Sequence, residues 1–298
     1  MKVKIFCVFL FVIFLTFCKK SEKENLKKIK IYSNNSAEYI YTKNGFDREF
    51  ILCLPDDFEA AQSGIIPLIF VLHGYGNTAR GFMDEIHLEK AACSKGFAVC
   101  YVSGKSNPLS YNKRSCWSYG EDEWSKKDIE NLEDLAKFIQ KTFGFCSSKT
   151  CIVGFSNGAI MANKIAVEKS ETFTAVVSVA GMMSSNIWTK ATVKNKEKIS
   201  AYFQINGTED EVVPMRISKK STYIPQPPFE EDVLEFISGK KTADAEIEVL
   251  SERTQLYKFN KKVWWALVQG ETHEWPSLHW SGINTCELIV DFLMNQYE

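Results

Sequence analysis

The chain has almost no net charge, with 36 Lys and Arg against 37 Asp and Glu and a formal balance of −1 over 298 residues. Beyond residue 30 there is no basic run interleaved with aromatics, so the sequence carries no footprint for a nucleic-acid backbone. It also has no low-complexity tract and no internal repeat, which excludes solenoid and propeller arrays. Despite nine cysteines, no C-x-x-C pair or His/Cys zinc spacing occurs. Histidine is scarce, with four residues in all, so any chemistry that needs an imidazole has few candidates.

What is present is a hydrophobic content of 45%, enough for a large core, and one catalytic domain is the simplest organisation. The apolar run from Ile5 to Phe17 is shorter than the roughly 20 residues of a membrane-spanning helix. Behind Lys2 and Lys4 it suits the core of a signal peptide, so residues 1–18 are expected to be a targeting segment outside the fold. Leu15-Thr16-Phe17-Cys18 resembles a bacterial lipoprotein signal, in which the cysteine is lipidated, although Phe17 stands where a small residue is usual. The expectation is an exported chain anchored to a membrane through Cys18, with plain secretion or an uncleaved anchor as alternatives. Residues 19–30 would then be a charged linker and 31–298 the catalytic domain. Outside the leader, which holds Cys7 and Cys18, the cysteines are Cys53, Cys93, Cys100, Cys116, Cys146, Cys151 and Cys286. Their number is odd, so at least one thiol has no partner within the chain, and several read as small buried hydrophobes.

Strand and helix signals alternate along the chain. Arg48–Pro55 reads as a strand near a sheet edge, Ile65–Leu72 as a central strand, and Phe97–Val102 as another. Thr78 can cap a helix running to about Ser94, with His87 inside it. Ser103–Trp124 reads as a polar, aromatic loop, and Lys126–Thr142 as a helix with Ile129, Leu132, Leu135, Ala136 and Ile139 on one face. Further strands are expected at Cys151–Val153, Ala175–Ala180, Ile199–Ile205, within Ile247–Phe259, and at Val263–Val268. Helices are expected at Ala159–Lys169, near Phe229–Ile237, and at Ile283–Tyr297. This alternation argues for an α/β fold with a mostly parallel central sheet and helices on both faces. In such a sheet the ligand site gathers at the carboxyl ends of the strands.

Chemistry concentrates at those ends. Gly154-Phe155-Ser156-Asn157-Gly158 matches G-x-S-x-G, a sharp strand-to-helix turn that exposes a serine nucleophile. The blander reading is a tight turn served by two glycines. Serine needs a base, and the base needs an acceptor to hold its tautomer. His273 follows a strand and is the natural base, with His279 as the weaker alternative. Asp210 precedes Val212-Val213-Pro214 and is the natural acid, with Glu209 and Glu211 beside it. The chain order Ser156, Asp210, His273 is that of α/β-hydrolases. Oxyanion donors would be the backbone amides of Asn157, after the serine, and of Tyr75 in the His73-Gly74-Tyr75 turn. In this reading His73 is structural.

Together, Leu72-His73-Gly74-Tyr75-Gly76, the serine turn, Asn206–Pro214 and His273-Glu274-Trp275-Pro276 resemble the α/β-hydrolase esterase family of polyhydroxybutyrate depolymerases and feruloyl esterases, over about Arg48–Phe292. The resemblance implies hydrolysis of carboxylic esters through an acyl-enzyme on Ser156, with no metal or cofactor. Ala159 stands where that family often has a second glycine, and Met215–Pro228 looks unlike the family. No separate polymer-binding domain follows, so a soluble or oligomeric ester is expected. Trp117, Trp124 and Trp275 are candidates to line its site, against ordinary core packing. The rival readings are a peptidase or acyltransferase with the same triad, and a surface-binding lipoprotein that keeps the fold without catalysis.

Overall fold

The structure, a computed structural model, describes residues 24–297 apart from 34, 59–63, 107–113, 195 and 216–227. The expected signal segment 1–18 with Cys18, and nearly all of the unusual stretch 215–228, lie outside the described residues.

Three strands come first, β1 (Glu24–Ser33), β2 (Ser36–Lys43) and β3 (Phe46–Cys53). They are followed by β4 (Leu68–Leu72), α1 (Ala79–Ile86), α2 (Leu88–Cys93), β5 (Ala98–Val102) and a short pair, β6 (Lys105–Ser106) and β7 (Ser115–Cys116). Next come α3 (Glu123–Phe143), β8 (Thr150–Phe155), α4 (Asn157–Glu168), β9 (Ala175–Val179), α5 (Ser185–Val193), β10 (Ala201–Gly207) and α6 (Glu230–Ser238). The chain ends with β11 (Glu246–Val249), β12 (Thr254–Lys258), β13 (Val263–Val268), α7 (Leu278–Ser281) and α8 (Thr285–Tyr297).

One 11-stranded sheet runs in the order β1-β2-β3-β5-β4-β8-β9-β10-β13-β12-β11. The strands from β5 across to β13 are parallel to one another, and the flanking strands pair antiparallel. The parallel strands are apolar along their whole length because both faces are covered; every residue of β4, β5 and β9 is buried. On one face Leu132, Ile165, Ile187 and Val233 bring α3, α4, α5 and α6 onto the sheet. On the other, Phe82, Leu88 and Phe292 seat α1, α2 and α8. Asp122 starts α3 by accepting the Ser125 N–H, and Gly144 ends it at φ 73°.

The sheet reaches further toward the N-terminus than expected. Residues 24–30, read as linker, are part of β1, registered against β2. The strand is solvated and lysine-rich, as suits an unpaired sheet edge, with Lys28 lying over Tyr39 and Lys30 over Tyr32. Strand β2 went unread although it alternates, with Ala37, Tyr39 and Tyr41 turned inward. The expected single helix from Thr78 to Ser94 is two: Thr78 caps α1 by accepting the Gly81 N–H, but the backbone breaks at His87, φ 51°. Ile86 and Leu88 are both buried, and residues two apart do not share a face of one continuous helix. All described cysteines are free thiols. Burial raises the thiol pKa of Cys93 and Cys286 to about 12 and that of Cys100 well above its usual value, consistent with small apolar side chains.

Candidate active site

Strand β8 ends against a backbone that bulky residues cannot follow. Ser156 adopts φ 52° and ψ −116°, a conformation that costs a non-glycine residue about 1–3 kcal/mol. It is held there by its N–H, which donates to Val179 O at 3.0 Å, and by its carbonyl, which accepts the Ile160 N–H. The glycines on either side are steric requirements. A Cβ at Gly154 would stand 2.3 Å from Gly158 O, and one at Gly158 would stand 2.4 Å from Leu72 O and 2.6 Å from His73 O. Ala159, in place of a second glycine, is accommodated by Gly181, where an added Cβ would fall 2.3 Å from the Ala159 methyl.

The structure brings Ser156, Asp210 and His273 together at the carboxyl ends of β8, β10 and β13. His273 Nδ1 is 2.8 Å from Asp210 Oδ2 and its Nε2 is 2.8 Å from Ser156 Oγ. With the Nδ1 proton directed at the carboxylate, Nε2 is the acceptor for the serine hydroxyl. The Asp210 side chain is 1% exposed, and its Oδ1 accepts the N–H groups of Val212 and Val213 at 2.9 and 2.8 Å. The acid and histidine turns are tied directly, because Glu209 N–H donates to Glu271 O. Gly207 permits that approach, since a Cβ there would stand 2.2 Å from the same oxygen. Of the alternatives left open by the sequence, Glu209, Glu211 and His279 are exposed. His87 is also exposed, with Nδ1 3.4 Å from Glu89.

His73 is wholly buried and its ring is fully used. Nε2 accepts the Gly104 N–H at 2.8 Å, which puts the proton on Nδ1, and Nδ1 donates to Gly74 O at 2.6 Å. Burial lowers its pKa to about 4, against the opposing effect of the Gly74 bond. The turn it braces passes beside the serine: a Cβ at Gly74 would stand 3.5 Å from Ser156 Cβ. Tyr75 follows in that turn. Asn157 is the first residue of α4, where a backbone N–H has no acceptor within its own helix.

The three tryptophans separate. Trp117, expected as a candidate to line the substrate site, is 1% exposed and packs between Arg48 and His73, with its Nε1–H donated to His73 O at 2.9 Å. It has no surface to offer a ligand, because the ring fills the space between β3 and the turn after β4. Trp124 lines a separate cavity of about 360 Å³ with Lys43, Phe46, Lys127 and Asp134, which includes none of Ser156, Asp210 or His273. Trp275 is half-buried two residues from His273, edge-on to Phe82 and Phe155. The sequence reading missed the side chain of Asn157, which accepts the Trp117 N–H at 2.7 Å and donates to Trp117 O at 3.1 Å. Polar side chains at the first helical position after the serine are the signal that could have found it. Among the described residues no group of three or more His, Cys, Asp or Glu side chains is placed to hold a metal ion.

A parallel-centred sheet, helices on both faces and a strained serine turn at a strand end define an α/β-hydrolase. Residues 59–238, which include Ser156 and Asp210, match the phospholipase/carboxylesterase family, and the chain belongs to it. Over 119 residues it is 27% identical to a candidate esterase, NocK, of Nocardia uniformis subsp. tsuyamanensis, a match covering 40% of this chain and 34% of that one. Over 115 residues it is 26% identical to feruloyl esterase B of Talaromyces funiculosus, covering 39% of this chain and 32% of that one. The matches thus span about a third of these curated relatives. The solved acetyl xylan esterase from Aspergillus awamori shares the fold, with a TM-score of 0.57, 16% identity, and coverage of 87% of this chain and 99% of that one.

Proposed function

We propose that the chain is a serine hydrolase of carboxylic esters, with Ser156 as nucleophile, His273 as general base and acid, and Asp210 as the acceptor that holds the histidine. The observation that carries this reading is the continuous relay Asp210 Oδ2, His273 Nδ1, His273 Nε2, Ser156 Oγ, with both hydrogen bonds at 2.8 Å. Ser156 Oγ attacks the ester carbonyl carbon as Nε2 takes its proton. The carbonyl oxygen becomes an anion facing the amides of Tyr75 and Asn157. Collapse expels the alcohol, which receives the proton from Nε2, and leaves an acyl group on Ser156. Water, deprotonated by Nε2, then attacks that acyl group, the acyl–Oγ bond breaks as Nε2 returns the proton to Ser156 Oγ, and the acid is released.

The substrate in this proposal is a soluble or oligomeric ester of the feruloyl or hydroxybutyrate-oligomer kind. Support comes from the feruloyl esterase relative and from the half-buried indole of Trp275 beside the histidine turn. We further propose export, with a lipid on Cys18 holding the protein at a membrane, on the strength of Lys2, Lys4 and the apolar run behind them.

A series of p-nitrophenyl esters from acetate to octanoate, with methyl ferulate and a hydroxybutyrate oligomer, tests the reading against a Ser156→Ala control. Turnover by the wild type and a loss of about a thousandfold or more in the variant are expected. A folded wild type no more active than the variant on every ester would overturn it and favour a binding role.

A further inference from the structure

The two amides assigned to the oxyanion hole come from elements far apart in sequence, the turn after β4 and the start of α4. Their separation must be right to a few tenths of an ångström for both to reach one oxygen. The segment Ser115–Trp117, which forms β7 and the residue after it, lies against both.

On the α4 side, Asn157 grips the Trp117 backbone with both ends of its amide, accepting the N–H at 2.7 Å and donating to the carbonyl at 3.1 Å. On the β4 side the same segment brackets Tyr75. Trp117 Nε1–H donates to His73 O at 2.9 Å, two residues before Tyr75, and Ser115 O accepts the Gly76 N–H at 2.7 Å, one residue after it. Gly158 lets the arrangement close, because its Cα passes so near His73 O that a Cβ would stand 2.6 Å away.

The segment is itself braced from behind. The Arg48 guanidinium lies 5.3 Å from the centre of the Trp117 ring and is fixed to Asp128 at 2.6 Å, while the other oxygen of Asp128 accepts the Ser118 N–H. Lys164, seven residues along α4 from Asn157, donates to Gly120 O at 2.5 Å and so ties the chain three residues beyond Trp117 to the same helix. Both faces of the indole are occupied by protein, so Trp117 acts on the reaction only through the groups it holds.

We propose that Ser115–Trp117 is the spacer of the oxyanion hole, and that Trp117 is its positioning residue, setting the distance between the Tyr75 and Asn157 amides without touching substrate. This rests on the serine esterase reading above. Loss of the spacer should weaken stabilisation of the tetrahedral intermediate more than binding of the ground-state ester, because Trp117 is buried and offers the ester no surface of its own.

The test compares wild type with Trp117→Phe, which keeps an aromatic ring and deletes the N–H, and with Asn157→Ala, which removes both backbone grips. Kcat and KM on p-nitrophenyl butyrate are measured beside the inhibition constant of an alkyl trifluoromethyl ketone, which forms an anionic adduct with the serine. Thermal unfolding and Ser156→Ala serve as controls. We expect kcat to fall about ten- to a hundredfold in each folded variant, less than or comparable to deletion of a donor itself. KM should stay within about threefold, and the ketone should weaken in step with kcat/KM. Folded variants that retain wild-type kcat and ketone affinity, or that change KM alone, would overturn the proposal. If Trp117→Phe does not fold, Asn157→Ala decides it. Inactive Ser156→Ala with unaffected spacer variants would reject only the spacer, whereas an active Ser156→Ala would reject the triad on which it stands.

Discussion

Asp210 gives one carboxylate oxygen to His273 Nδ1 at 2.8 Å while its other oxygen is saturated by the amides of Val212 and Val213. The side chain therefore cannot rotate away without breaking two backbone bonds, and its neighbours in sequence have no such hold. Asp210→Asn is expected to lower kcat by about 10³–10⁴, because the amide favours the wrong histidine tautomer. Glu209→Gln and Glu211→Gln should remain within about twofold of wild type, as exposed side chains outside the relay. Steady-state ester hydrolysis on the three purified variants separates these outcomes.

His273 and His279 lie six residues apart, but only the first reaches the serine. The second is exposed on α7. His273→Ala should lose about a thousandfold or more in kcat, with His279→Ala indistinguishable from wild type in the same assay. Comparable losses in both would mean that the relay seen here is not the one that works.

Gly158 stands with its Cα against the carbonyls of Leu72 and His73. Both obstructing atoms are backbone in the middle of the sheet and its following turn, so neither can move aside as a flexible side chain would. Gly158→Ala is expected to destabilise the protein by about 3 kcal/mol or more and to reduce activity even in the fraction that folds. Calorimetry of the purified variant, or its soluble yield if it does not accumulate, measures the effect.

The strand ends that carry Ser156, Asp210 and His273 were legible because each is a short apolar run that stops at a turn-forming cluster, and parallel sheets gather such ends. The serine turn was legible for a local reason, since its glycines answer clashes within a few residues of chain. Trp117 stayed open between ligand site and core because its role depends on contacts with His73 and Asn157, more than forty and forty residues away, and an indole in a polar loop looks the same whether it faces ligand or core. The linker boundary failed for the opposite reason: Lys27, Lys28 and Lys30 look like a solvated tail, and only pairing with β2 makes them an edge strand. The break at His87 follows from burying Ile86 and Leu88 together, a tertiary demand that overrode helix continuity.

Glu230 opens α6 with its carboxyl buried beside Tyr202, whose hydroxyl lies 3.5 Å from Oε1. Burial raises its pKa from 4.5 to about 8, and the Tyr202 bond opposes that rise. Between those two values the folded protein keeps a proton that the unfolded chain has lost. Stability contributed by the neutral carboxyl is thus complete below about pH 4.5 and declines as the pH rises to about 8. Glu230→Gln should match wild type near pH 5 and exceed it at pH 9 by an amount on the order of 3 kcal/mol. Denaturant unfolding at the two pH values reads the difference, and an equal offset at both would show that Glu230 does not titrate in this way.

The central claim is that Ser156 is the nucleophile, activated by His273. Treating the folded protein with a fluorophosphonate and locating the adduct by peptide mass spectrometry tests it most directly. The account predicts one adduct, on the oxygen of Ser156, formed at least about a hundredfold more slowly in His273→Ala. An adduct on another residue, or labelling of Ser156 at the same rate without His273, would contradict it.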